Sequence, residues 1–147
     1  MDRGAAVLLT AAVGGLIAMQ APINSMLGKT VGTFQAAFVS FGIGTMLLLA
    51  IALVAKGSLA DIPEARHLSW YYLTGGVLGA AYVTTVLVTV RSLGAGPVVA
   101  ATIAGQLTMS VIIDQFGLLG LDKDPISAMK LGGVLLLALG TLLVIRG

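Results

Sequence analysis

The chain has 147 residues, 58% hydrophobic and 10% charged, with a net charge of +2 and no cysteine. Soluble domains carry about 25% charged residues, so neither a water-soluble enzyme nor a disordered segment, which needs low hydrophobicity and high charge, fits this composition. The missing cysteines exclude disulfides, zinc ribbons and thiol catalysis, and the small dispersed positive charge gives no basis for a nucleic-acid partner.

Charged side chains are costly in hydrocarbon, so stretches without them mark membrane crossings. Residues 4–28, 30–55, 67–90 and 92–113 lack Asp, Glu, Lys and Arg. Residues 131–145 do too, and 125–129 lengthen that run through one snorkelling lysine, Lys130. A spanning helix needs roughly 20 apolar residues. The pattern predicts an all-α integral membrane protein, one five-helix domain over 1–147, with helices near 4–27, 33–55, 69–90, 97–116 and 126–146.

The first run could imitate a signal peptide. It is too long for an h-region, and Ala18-Met19-Gln20 lacks a small residue at the cleavage position, so it reads as the first membrane helix. Gln20 and Asn24 lie four residues apart and share a face. Pro22 between them weakens the backbone ladder and could open a carbonyl to a ligand. The same amides could instead bond a neighbouring helix, with Pro22 as a packing kink. Gly28 suits the end of this helix, as Gly57 suits the end of the second. The second helix offers Ser40, Gly44 and Thr45.

Before the third helix stand a lone His67, without metal-ligand spacing, and Ser69, an expected N-cap. Trp70, Tyr71 and Tyr72 form an aromatic belt at its start. Gly75 and Gly79 make a small-xxx-small pair for close packing, followed by Tyr82, Thr85 and Thr89. Tyr82 reads equally as a cavity wall or a core residue. Pro97 suits the first turn of the fourth helix. There Ala101 and Gly105 repeat the small pair, and Gln106, Ser110 and Asp114 follow one stripe. An acid in a span suggests proton coupling. Asp114 also lies close enough to its helix end for water, or Arg91 of an inverted partner, to satisfy it. Asp124 and Pro125 are expected to start the fifth helix, which reads as packing surface. No cofactor, metal site or catalytic constellation is expected.

Five crossings put the two ends of the chain on opposite sides. Arg3, Lys56, Arg66, Lys123 and Lys130 face Lys29, Arg91 and Arg146, a weak bias that allows insertion in both orientations. Transporters often pair inverted repeats around a midplane site. The chain therefore reads as half of such a repeat, completed by an antiparallel homodimer or a paired homologous five-helix subunit. Alternating access would move a small polar metabolite or drug-like solute bound by Gln20, Asn24, Tyr82, Gln106 and Ser110. The alternatives are a proton-coupled multidrug or cation exporter using Asp114, and a non-transporting structural membrane subunit.

Four stretches carry a resemblance: Gln20-Ala-Pro-Ile-Asn24-Ser-Met-Leu-Gly28-Lys29; Trp70-Tyr-Tyr-Leu-Thr-Gly75-Gly76-Val-Leu-Gly79-Ala80; Ile103-Ala-Gly105-Gln106-Leu, continued by Ile113-Asp114-Gln-Phe116-Gly117; and Lys130-Leu-Gly132-Gly133-Val-Leu-Leu with Gly140. Together they resemble the YdcZ-type branch of the drug/metabolite transporter superfamily over nearly the whole chain. The resemblance implies a five-helix exporter of the bacterial inner membrane, working as antiparallel pairs. The related small multidrug-resistance transporters use a glutamate deep in helix 1. Here helix 1 has no such acid, only Thr10, Gln20, Asn24 and Ser25. A site of amides and hydroxyls suits a neutral or zwitterionic solute better than a lone cation.

Overall fold

Asp2 starts the first helix: its carboxylate accepts the Ala5 N–H at 3.4 Å. From there the computed structural model, which describes residues 2–56 and 59–147, carries α1 unbroken from Arg3 to Val31. Pro22 lies inside α1 without ending it, although it cannot donate to the Ala18 carbonyl one turn back. At about 1.5 Å per residue α1 is roughly 44 Å long, more than the ~30 Å of a hydrocarbon core.

Gly28 does not end α1 as expected. The residue that ends it is Gly32, at φ 98° and ψ 153°, a region nearly closed to residues with a Cβ. Its N–H donates to the Gly28 carbonyl at 3.1 Å, and its own carbonyl accepts from Ala36 N–H at 2.9 Å. One residue thus closes α1 and opens α2, Thr33–Lys56. Gly57, the expected end of α2, lies outside the described residues.

Two 3₁₀ segments follow, Ile62–His67 and Trp70–Thr74. The expected helix over 69–90 is regular only from Gly75: α3 is Gly75–Leu93. Ser69 holds the N-cap place of the second segment, but its side chain makes no capping bond. Three successive aromatic residues, poor in helix propensity, then take the tighter winding. The Tyr71 and Tyr72 rings stand 4.4 Å apart. Residues 70–93 together remain long enough to cross a bilayer.

Residue contacts divide the chain into two units, the first ending at Arg91 and the second running from Ser92 to Gly147. The first has its core where Ala36 and Ala37 of α2 meet Val83 and Leu87 of α3, with Leu27 and Tyr82 packed against them. Ala21, Asn24, Ser25 and Gly28 are the buried residues of α1. Their spacing gives one helix face, and their small size permits close approach where lipid supplies no hydrophobic drive between helices.

In the second unit Gly94 (φ 84°) precedes α4, Ala95–Phe116, with Pro97 in the first turn as expected. Gly117, left-handed, accepts the stop. A turn over Leu118–Gly120 follows. α5 is Ala128–Arg146, and its cap is Ser127, whose Oγ accepts from Lys130 N–H at 3.2 Å. Asp124 was the expected cap, yet its backbone N–H is committed to the Asp114 carbonyl at 2.8 Å. Ile126 N–H is likewise held by Gln115 Oε1 at 2.6 Å. The Asp124 carboxylate pairs instead with Lys130 Nζ at 2.6 Å. Thr141 ties α5 to α4 by donating to the Ala100 carbonyl at 3.1 Å.

Among the described residues five helices are long and apolar enough to span a membrane. Their large apolar side chains point outward: Leu8 is 73% exposed, Phe38 79% and Val54 89%. Water would not tolerate so much contiguous apolar surface; lipid does.

Candidate functional site

Inside a bilayer every polar side chain needs a partner, so the distribution of satisfied and unsatisfied groups locates function. The hydroxyls of Thr10, Thr45, Thr85 and Thr108 donate to the carbonyl four residues back on their own helices, at 2.8 Å each. Thr89 does the same to Thr85 at 3.0 Å. These groups need nothing from outside.

Asn24 is buried, and its Nδ2 donates to Ser40 Oγ at 3.1 Å, joining α1 to α2. Of the two readings of its amide, the bond to a neighbouring helix is the one present in this chain. The sequence marks Ser40 only as a small polar residue, because the i, i+4 spacing acts within α1 and does not reach across the turn. Gln20, one turn away, is exposed. It is the one polar member of a shallow depression lined by Val13, Leu16, Ile17, Met19 and Ile23. Tyr82 packs half-buried against the core.

The small-residue pairs separate. Gly79 lies against the Phe41 ring: a Cβ there would meet Cζ at 3.4 Å. Gly75 and Gly105 have open space where a Cβ would stand, and Ala101 is exposed. Gly79 therefore packs α3 within the chain, while Gly75, Ala101 and Gly105 leave smooth outward surface.

Gln106 and Ser110 are exposed on α4 and Asp114 is half-buried. None of the three side chains has a hydrogen-bond or ionic partner among the described residues. This differs from the Asn24 pair and from the threonines.

The sequence does not show the contact between Arg91 and Ser25. Arg91 Nε donates to Ser25 Oγ at 3.2 Å, across 66 residues of chain. The guanidinium lies over Gly28, where a Cβ would come within 2.5 Å of Nη2. Gly28 is therefore a passage for Arg91. The signal was present as two small residues, Ser25 and Gly28, on one face, but their basic neighbour could not be chosen without the fold. No group of three or more His, Asp or Glu able to hold a metal occurs among the described residues.

Residues 5–143 match the model of the family described as "Putative inner membrane exporter, YdcZ". No curated protein and no solved structure matches the chain.

Proposed function

The chain belongs to the family described as "Putative inner membrane exporter, YdcZ", and from that premise we propose that it is one half of an alternating-access transporter, completed by an oppositely oriented second copy. The observation that carries this is the open polar stripe of α4. Gln106 lies near the middle of a 22-residue helix with its amide exposed and without a partner among the described residues. An amide in hydrocarbon without a hydrogen bond costs roughly 2–7 kcal/mol. A solute, a second copy, or both must cover it. Gln20, exposed on α1, makes the same demand.

The solute is a small polar metabolite or drug-like molecule, neutral or zwitterionic, because the available groups are amides and hydroxyls. Gln106 and Ser110 of the second unit are open to such a solute, and Gln20 of the first unit is open by itself. Asn24 and Tyr82 are engaged within their own unit. Transport rather than catalysis suits spans whose polar groups include one acid, Asp114, and no histidine.

Reconstituted flux tests the assignment. Gln106→Ala and Gln20→Ala abolish solute movement while the protein stays folded; flux that survives both removes the site. A second reading draws on Asp114, whose carboxylate has no partner among the described residues: proton-coupled export of a cation. Asp114→Asn then abolishes movement driven by a pH gradient, and unaltered driven movement rejects that reading.

A further inference from the structure

We propose that Arg91 of one copy pairs with Asp114 of an inverted second copy, and that two such pairs, related by the twofold axis, clamp the assembly at both membrane faces. This rests on the antiparallel pairing proposed above.

The two groups are complementary in charge and each lacks a counter-ion among the described residues. Arg91 uses one of its five N–H donors on Ser25. That bond and the space above Gly28 hold the guanidinium in place across α1, with its terminal amino groups free of any carboxylate among the described residues. Asp114 spends its backbone carbonyl on Asp124 and Gly117 N–H groups, but its side-chain oxygens accept nothing from the described residues.

Their depths also match. Arg91 stands two residues before the end of α3 at Leu93, and Asp114 two residues before the end of α4 at Phe116. Each is therefore about 3 Å inside its helix end. Successive crossings finish on opposite faces of the membrane. Inverting one copy brings the end of its α3 level with the end of the other copy's α4. The twofold axis then repeats the contact at the second face.

Competing groups fit less well. Lys29 also lies two residues before its helix end at Val31, but it is exposed and no side chain fixes it, so its ammonium can reach headgroup water. Among the acids, Asp124 is bound to Lys130 and Asp2 caps α1. Asp61, Glu64 and Asp122 lie outside the spanning helices. A planar fork meeting a carboxylate is the geometry for which arginine exceeds lysine.

The chain has no cysteine, so two differently tagged single-cysteine forms, Arg91→Cys and Asp114→Cys, can be co-expressed. Their heterodimer replaces one ion pair with two thiols and leaves the other pair intact. A short thiol-reactive linker is used, because an arginine–carboxylate pair holds its β carbons further apart than a disulfide allows. The mixed pair cross-links and neither form cross-links to itself. In parallel, Arg91→Asp or Asp114→Arg alone weakens the dimer roughly tenfold, and a chain carrying both changes recovers most of the loss.

A stable dimer without the mixed cross-link and without recovery overturns the clamp but spares the antiparallel reading. Self-cross-linking of Arg91→Cys overturns the antiparallel reading itself, because inversion places the two copies of that residue at opposite faces. If Arg91→Asp weakens the dimer only in vesicles containing anionic lipid, and Asp114→Arg has no effect, a lipid phosphate is the partner of Arg91 and the clamp is rejected.

Discussion

The unit ending at Arg91 and the unit beginning at Ser92 solve the same solvent problem differently. In the first, polar side chains reach across helices to one another: Asn24 to Ser40 and Arg91 to Ser25. The turn between α1 and α2 is a single glycine. In the second, α4 and α5 are joined by a connection whose backbone is bound back onto Asp114 and Gln115. One side-chain bond, from Thr141 to Ala100, crosses between the helices. The polar stripe of α4 is left open. The first unit bonds its polar side chains to one another, Gln20 excepted, whereas the second leaves the stripe of Gln106, Ser110 and Asp114 open.

The largest effect should come from breaking the glycine turn. Gly32→Ala must place a Cβ at φ 98°, where the Gln35 carboxamide already lies. Holding such a backbone costs about 1–3 kcal/mol, so the unfolding midpoint in detergent falls clearly. An unchanged midpoint would show that the α1–α2 turn relaxes freely.

Next in size is the buried pair. Asn24→Ala and Ser40→Ala each remove the bond between α1 and α2, worth about 0.6 kcal/mol on average and up to about 1.7 in membrane helices. Their effects on stability are coupled, so the double variant loses less than the sum. Additive losses would place Asn24 with the open groups.

The smallest stability effect belongs to Gln106→Leu. Its side chain is exposed and unbonded among the described residues, so the fold changes by less than about 0.5 kcal/mol. Loss of stability as large as that of Asn24→Ala would erase the contrast between the units.

The spans were legible because the cost of a charge in lipid acts residue by residue: the charge gaps located all five helices to within a few residues, apart from the start of α3. What was not legible depended on competition between neighbours. Gly28 and Gly32 are both fit for a positive φ, and only the fold shows that Gly28 is needed to admit Arg91. Asp124 is as good a cap as Ser127 until its carboxylate is claimed by Lys130. Ser69 precedes aromatic residues that wind as a 3₁₀ turn, a preference that single-residue capping rules do not contain. Within the candidate site, the exposed amides were visible as polar residues in apolar runs. Which of them already had a partner required the pairing of α1 with α2.

The central claim is that this chain meets its own inverted copy. Single cysteines at Lys29, in the last turn of α1, and at Asp122, in the connection between α4 and α5, report the two membrane faces. Each is labelled in intact cells with a membrane-impermeant thiol reagent, and the remainder after permeabilisation. An inverted homodimer predicts that both positions are labelled from both sides. Labelling of Lys29→Cys from one side alone, and of Asp122→Cys from the other alone, contradicts it.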